Sequence, residues 1–303
     1  MGVERFSTTS AGADSATTER LGSYRHDGLT FDVLDDGPVD GPAVVLLHGF
    51  PERASHWEDV ASVLHAYGLR TLAPDQRGYS PGARPRGRLA YRLSRLVADT
   101  EALIEQYGAP VHLVGHDWGA AVAWATAAAH PHLVRTLTTV SVPHPAAFAR
   151  SLLTSSQALR SWYVLAFQPP GAVELAARTA PGALSALLRG AGLTDADVVR
   201  FRREILEYGA LPGALGWYRA LPFSGGLSSG PVLVPTTHVW SDADVALAHR
   251  GAELTGDHVH APYELRILRG VSHWIPTHAP VPLAEAILAR VDSVAEESGP
   301  RGR

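Results

Sequence analysis

A short apolar run that ends in a Gly-x-Asp-x-Gly turn constrains this chain more than any other feature. It reads Val111-His112-Leu113-Val114-Gly115-His116-Asp117-Trp118-Gly119-Ala120-Ala121, and an Ala-rich segment of helical character follows. A strand that enters a helix through so tight a turn holds its middle residue in a strained conformation, with the side chain above the sheet. Gly115, Gly119 and Ala120 lack the bulk that would obstruct such a turn and the close packing of helix on strand. Serine, which attacks carbonyls, is the usual occupant of this elbow. Here it is Asp117.

The composition narrows the chemistry around that residue. With 303 residues the chain can bury a full core, and 46% hydrophobic with 18% charged residues describes an ordinary globular protein. A formal net charge of -4 and the lack of a basic stripe argue against nucleic acid as a partner. Cysteine and lysine are both absent. That removes disulfides, thiol nucleophiles, Cys-ligated zinc, Schiff-base chemistry and a phosphate-binding Walker lysine. Met1 to Arg20 is rich in Ser, Thr, Ala and acids without an apolar centre, and reads as a disordered tail rather than a signal peptide. Phe6 stands where an N-myristoylation motif needs Ser or Thr. No apolar run approaches the ~18 residues of a membrane span. The expectation is a cytoplasmic enzyme with no membrane insertion; a homo-oligomer is compatible with the sequence.

The pattern along the chain predicts alternating strands and helices. Thr30 to Leu34 reads as a strand stopped by Asp35-Asp36-Gly37-Pro38, and the continuous apolar run Ala43 to Leu47 as a strand covered on both faces. A helix over Trp57 to Tyr67, a strand over Leu69 to Ala73 and a helix over Leu93 to Tyr107 lead to the elbow. Val134 to Val142 continues the alternation. Such repeats imply an α/β fold: a mostly parallel sheet flanked by helices. The rhythm breaks at Pro143-His144-Pro145, and the following stretch is helical in character, punctuated by Pro and Gly. The reading is a sheet domain over 21–143 and 226–303, an inserted helical cap over 144–225 and a tail over 1–20. Strands resume at Thr236 to Trp240 and Leu265 to Leu268, and a helix from Pro282 to Val294 closes the fold before a loose tail, Glu296 to Arg303.

In open parallel sheets, sites form beyond the carboxyl ends of the strands. There the chain places Asp117, then Asp242 and Asp244 after Thr236 to Trp240, then His273 after Leu265 to Leu268. Nucleophile, acid and histidine occur in that order. A carboxylate with a reference pKa near ~3.9 needs no base to become a nucleophile. It is poor against amides but displaces a leaving group from an sp3 carbon, leaving an alkyl ester. His273 would then activate water against the ester carbonyl, with an acid orienting the ring. The resulting oxyanion lies on Asp117 itself, and the N–H groups of Phe50 and Trp118 are the natural donors to it. Tyr163 and Tyr218 fall in the proposed cap. A halide leaves unaided, whereas an epoxide oxygen leaves as a basic alkoxide that phenols near pKa ~10 can protonate.

Taken together, the sequence resembles α/β-hydrolase-fold epoxide hydrolases from about Tyr24 to the terminal helix. The likeness rests on His48-Gly49-Phe50-Pro51-Glu52 with Trp57 downstream, Asp75-Gln76-Arg77-Gly78-Tyr79, the elbow, both tyrosine contexts and Gly270-x-x-His273-Trp274. It implies that Asp117 is the nucleophile, that Tyr163 and Tyr218 polarise the epoxide oxygen, and that Phe50-Pro51 is a candidate cis peptide. The family-like Trp240-x-x-x-Asp244 spacing favours Asp244 over Asp242 as the orienting acid. The implied reaction takes a small-molecule epoxide and water to a vicinal diol, with no cofactor and no metal. The nearest alternative is a haloalkane dehalogenase, in which an Asn often holds halide where Phe50 and Pro51 stand here. A non-catalytic ligand-binding protein on the same fold is the other. His130-x-His132 and His258-x-His260 read as surface or core histidines, and His48 and His116 as supports.

Overall fold

A computed structural model describes residues 17–224 and 230–295. Most of the expected N-terminal tail, the centre of the return linker and the C-terminal tail fall outside the described residues. Thr17 to Arg20, at the end of the expected tail, are tied to the sheet domain. The Thr17 N–H donates to the Tyr107 carbonyl at 2.9 Å, and Arg70 donates to the carbonyls of Thr17 and Glu19.

Eight strands form one sheet: β1 (Ser23–His26), β2 (Leu29–Asp36), β3 (Ala43–Leu47), β4 (Arg70–Pro74), β5 (Val111–His116), β6 (Val134–Val140), β7 (Thr236–Ser241) and β8 (Tyr263–Leu268). Their order is β1-β2-β4-β3-β5-β6-β7-β8, antiparallel from β1 to β4 and parallel from there on. The expected strands are all present, within two residues at their ends: β2 and β8 run further than expected, and the strand expected over Val134 to Val142 ends at Val140. β1 has no counterpart in the pattern reading. It is four residues long, with only Tyr24 fully buried, too short a period to stand out.

β3 is apolar throughout and buried on both sides because each side faces a helical layer. Val45, Leu47 and Leu113 pack beneath α2 (Leu93–Tyr107) and α3 (Trp118–Ala129), while Val44, Leu46 and Val114 face α1 (Glu58–Ala66). Side chains alternate along a strand, so consecutive apolar residues feed opposite cores. Each fully buried Val or Leu contributes about 1.5–3 kcal/mol. α2 stops where Gly108 takes a left-handed φ of 88° and returns its N–H to Ile104.

Between β6 and β7 the described residues hold helices and no strand. These are α4 (Pro145–Thr154), α5 (Gln157–Arg160), α6 (Trp162–Ala166), α7 (Ala172–Thr179), α8 (Pro181–Gly190), α9 (Asp195–Phe201) and α10 (Leu211–Ala220). α4 packs against α11 (His249–Thr255), which follows β7. At the other end α10 sits on the turn after β4. Gly78 and Gly213 meet there backbone to backbone, so a Cβ on either would strike the other. The Trp217 indole donates to the Arg77 carbonyl at 2.7 Å across the same contact. A short helix, α12 (Ile275–His278), leads into α13 (Pro280–Ala295), which packs beside α1 and begins slightly before its expected start. Among the described residues no helix is long and apolar enough to cross a membrane.

Candidate active site

The elbow is built by close backbone contacts. Asp117 has φ 51° and ψ -120°, a region L-residues rarely occupy. A Cβ on Gly115 would run into the Gly119 carbonyl, and one on Gly119 into the Leu47 carbonyl. Gly49 lies against the Asp117 side chain in the same way, which brings the loop after β3 over the carboxylate. The Phe50 N–H donates to Asp117 Oδ1 at 2.8 Å. Phe50-Pro51 is cis. Trp118 opens α3, so its N–H is among the donors that a helix's first turn leaves unpaired.

His273 and Asp244 complete the group. His273 Nε2 lies 3.5 Å from Asp117 Oδ2, and its Nδ1 lies 2.7 Å from Asp244 Oδ2. The other Asp244 oxygen accepts from the N–H groups of Ala246 and Leu247, both at 2.8 Å. Asp242 points elsewhere: its carboxylate accepts from the Gly270 N–H at 2.6 Å, beside Arg269. Of the two candidate acids only Asp244 therefore meets the imidazole. The His273 carbonyl accepts from Ser141 Oγ at 3.1 Å and lies 3.0 Å from His116 Nε2, which fixes the loop carrying the ring.

All three groups are buried, so their charges matter to one another. Burial works against a charged His273, but Asp244 and Asp117 together outweigh it and raise the imidazole to about 10. Burial likewise works against a charged Asp117, yet the His273 contact and the Phe50 N–H hold it below the usual carboxylate range. Asp117 and His273 therefore rest as an ion pair.

A cavity of about 610 Å³ opens over Asp117. The sheet side contributes Phe50, Asp117 and His273, and the helical excursion contributes Tyr163, Phe167 and Tyr218. The two tyrosine rings stand 6.1 Å apart, centroid to centroid, and Phe50 and Trp118 each meet the Tyr218 ring edge-on. Burial, then the Asp117 charge, pushes both phenols above their ordinary pKa, so both remain protonated donors at neutral pH. Phe50, Asp117, Trp118, Tyr163, Tyr218, Asp244 and His273, all expected at the site from sequence, thus lie in this one assembly, and Asp242 lies outside it.

Pattern reading missed a buried group behind the histidine. Glu52, His56 and His116 bring a carboxylate and two imidazoles within 4.8 Å of one another. Glu52 Oε2 is 2.7 Å from His56 Nδ1 and 3.5 Å from His116 Nδ1. Burial opposes the Glu52 charge, but the two histidines keep its carboxyl well below the usual range. The available signals were the i, i+4 spacing of Glu52 and His56 and the position of His116 beside the nucleophile. The expected supporting role of His48 has a physical form: its Nε2 accepts from the Gln76 N–H at 3.1 Å, which links the loops after β3 and β4.

Known proteins are similar to this chain in sequence and in fold. A family model described as the alpha/beta hydrolase fold matches residues 42–247. Epoxide hydrolase A of Mycobacterium tuberculosis is 30% identical over 317 aligned residues, covering 90% of this chain and 97% of that one. Epoxide hydrolase 2 of Caenorhabditis elegans is 33% identical, covering 82% of this chain and 73% of its own. The crystal structure of epoxide hydrolase A from Mycobacterium thermoresistibile superposes with a TM-score of 0.76 at 26% identity, covering 89% of this chain and 97% of that one. The chain belongs to the epoxide hydrolases of the α/β-hydrolase fold.

Proposed function

We propose that the chain converts an epoxide and water to a vicinal diol through a covalent ester on Asp117, with residues 144–225 acting as a cap over the site. The observation that carries this reading is the facing of two protonated phenols, Tyr163 and Tyr218, across one cavity from the ionised Asp117. Asp117 attacks a ring carbon, the C–O bond breaks, and a tyrosine proton passes to the departing oxygen. Esterification removes the Asp117 charge. His273 loses one of the two carboxylates that raise its pKa, while burial still lowers it. It sheds its proton, which restores the one the tyrosine gave to the epoxide oxygen, and becomes the base that takes one from water. Hydroxide adds to the ester carbonyl, the oxyanion sits on the oxygen facing the Phe50 N–H, and collapse releases the diol and the Asp117 carboxylate. Asp244 holds the ring throughout.

Halide displacement draws less support, because a leaving halide requires neither phenol and the loop position is held by Phe50 and Pro51. Incubation with styrene oxide and with bromoalkanes separates the two readings: diol without halide is expected, and halide without diol would refute the proposal. In His273→Ala, mass spectrometry should find the enzyme heavier by one substrate, with turnover lower by about 10³-fold or more.

A further inference from the structure

The mouth of the cavity has a surface unlike the rest of the chain. Leu159, Trp162, Leu187 and Val245 line the cavity and are also exposed, so they form its rim. Leu159 is 80% exposed, and Leu165, nearly one turn beyond Trp162 on α6, is 76% exposed. Single exposed leucines are ordinary, but an apolar rim around an opening marks an interaction site.

The charge around this rim is opposite to that of the whole chain. Between residues 145 and 195 stand Arg150, Arg160, Arg178 and Arg189 against Glu174 and Asp195, in a protein of net charge -4, and Arg189 is paired with Asp195. Glu174 is itself engaged by Arg219. Arg160, on the cavity wall, donates to Ser156 Oγ and the Asp244 carbonyl; among the described residues neither it nor Arg150 or Arg178 has a carboxylate partner. On α4, Arg150 and Leu153 lie three residues apart and both are exposed, and Leu175 and Arg178 repeat the pattern on α7. That spacing puts each pair on one helix face, with an apolar side chain beside a cation that can reach outward.

We propose that the rim and its flanking helices dock on an anionic lipid bilayer, lying on the surface without spanning it. Leucine and tryptophan beside arginine is the composition of a surface that rests at the headgroup boundary. A second copy of the chain fits less well, since a twofold contact sets the same patch against itself and brings these arginines face to face. Apolar epoxides concentrate in bilayers, so docking at the mouth collects substrate; that consequence rests on the epoxide-hydrolase reading, whereas docking itself does not.

The test floats the full-length protein with vesicles of phosphatidylcholine, alone or mixed with phosphatidylglycerol, in the absence of substrate. Binding to the mixed vesicles is expected to be at least about ten-fold tighter and to weaken as salt screens the surface. Replacing Arg150→Gln and Arg178→Gln should reduce it by about five-fold per arginine. Replacing Leu153→Ser and Leu165→Ser should reduce it comparably, and both double variants should keep full turnover of a water-soluble epoxide. Absence of binding, equal binding to both vesicles, or binding indifferent to the variants overturns the proposal. So does a lipid-free dimer that the leucine variant dissociates while no vesicle binds. Loss of diol formation with vesicle binding intact would refute the functional reading alone.

Discussion

In the free enzyme His273 faces two carboxylates, Asp117 and Asp244, and both favour its protonated form. Its stabilising contribution is complete below the unfolded value of 6.5 and fades as pH rises toward about 10. Asp117, shifted the other way, contributes above its ordinary 3.8 and loses that contribution as pH falls. The pair therefore supports the fold fully only between these two ordinary values. Asp117→Asn should lower the His273 pKa, read by NMR titration, and flatten the alkaline loss of stability; an unchanged pKa would remove Asp117 from the pair. In the proposed mechanism the phenols act on the first chemical step. Tyr163→Phe and Tyr218→Phe should each slow ester formation by about 10²-fold in single-turnover measurements, and the double variant more. A loss confined to ester hydrolysis would place them in the other half of the reaction.

Among the elements, the turn after β4 depends on one buried ion pair. Arg77 Nε and Nη2 donate to the two oxygens of Asp99 on α2, each at 2.7 Å, and His26 of β1 approaches the same carboxylate at 2.8 Å. Arg77→Ala would leave Asp99 buried without its cation and should cost about 3–5 kcal/mol in urea unfolding. Because the Arg77 carbonyl also accepts from Trp217, the loosened turn should disturb the helices above it. The elements themselves were largely legible. The apolar run of β3 and the Gly-x-Asp-x-Gly turn carry their conformation locally, in burial pattern and in steric room. Val134 to Val142 illustrates the limit: β6 ends at Val140, since Ser141 turns to φ 66° and offers its hydroxyl to the His273 carbonyl. That partner is 132 residues away.

At the scale of the whole molecule, the proposed reaction requires the helices between β6 and β7 to sit at a fixed height above the sheet. The contact of Gly78 with Gly213 leaves no room for a side chain. Gly213→Val should wedge α10 outward, carry Tyr218 away from Asp117, and raise KM while lowering kcat by about 10²-fold. Urea melts followed through the layer around α1 should change less, because that apolar cluster holds no residue of α10, whereas the one around α2 and α3 does.

The sequence alone determined the sheet with its flanking helices and the helical excursion above it, and singled out Asp117 and His273 as candidates, because each is written in consecutive residues. Only the tertiary structure decided between Asp244 and Asp242, two residues apart on one loop: one accepts from Ala246 and Leu247 beneath the imidazole, the other from Gly270 across the turn. It also revealed Glu52, His56 and His116 behind His273, and the apolar, cationic rim of the cavity. The reason is physical. Backbone conformation and burial period are local properties, whereas the pKa of a buried charge and the exposure of a leucine depend on neighbours that folding brings from distant parts of the chain.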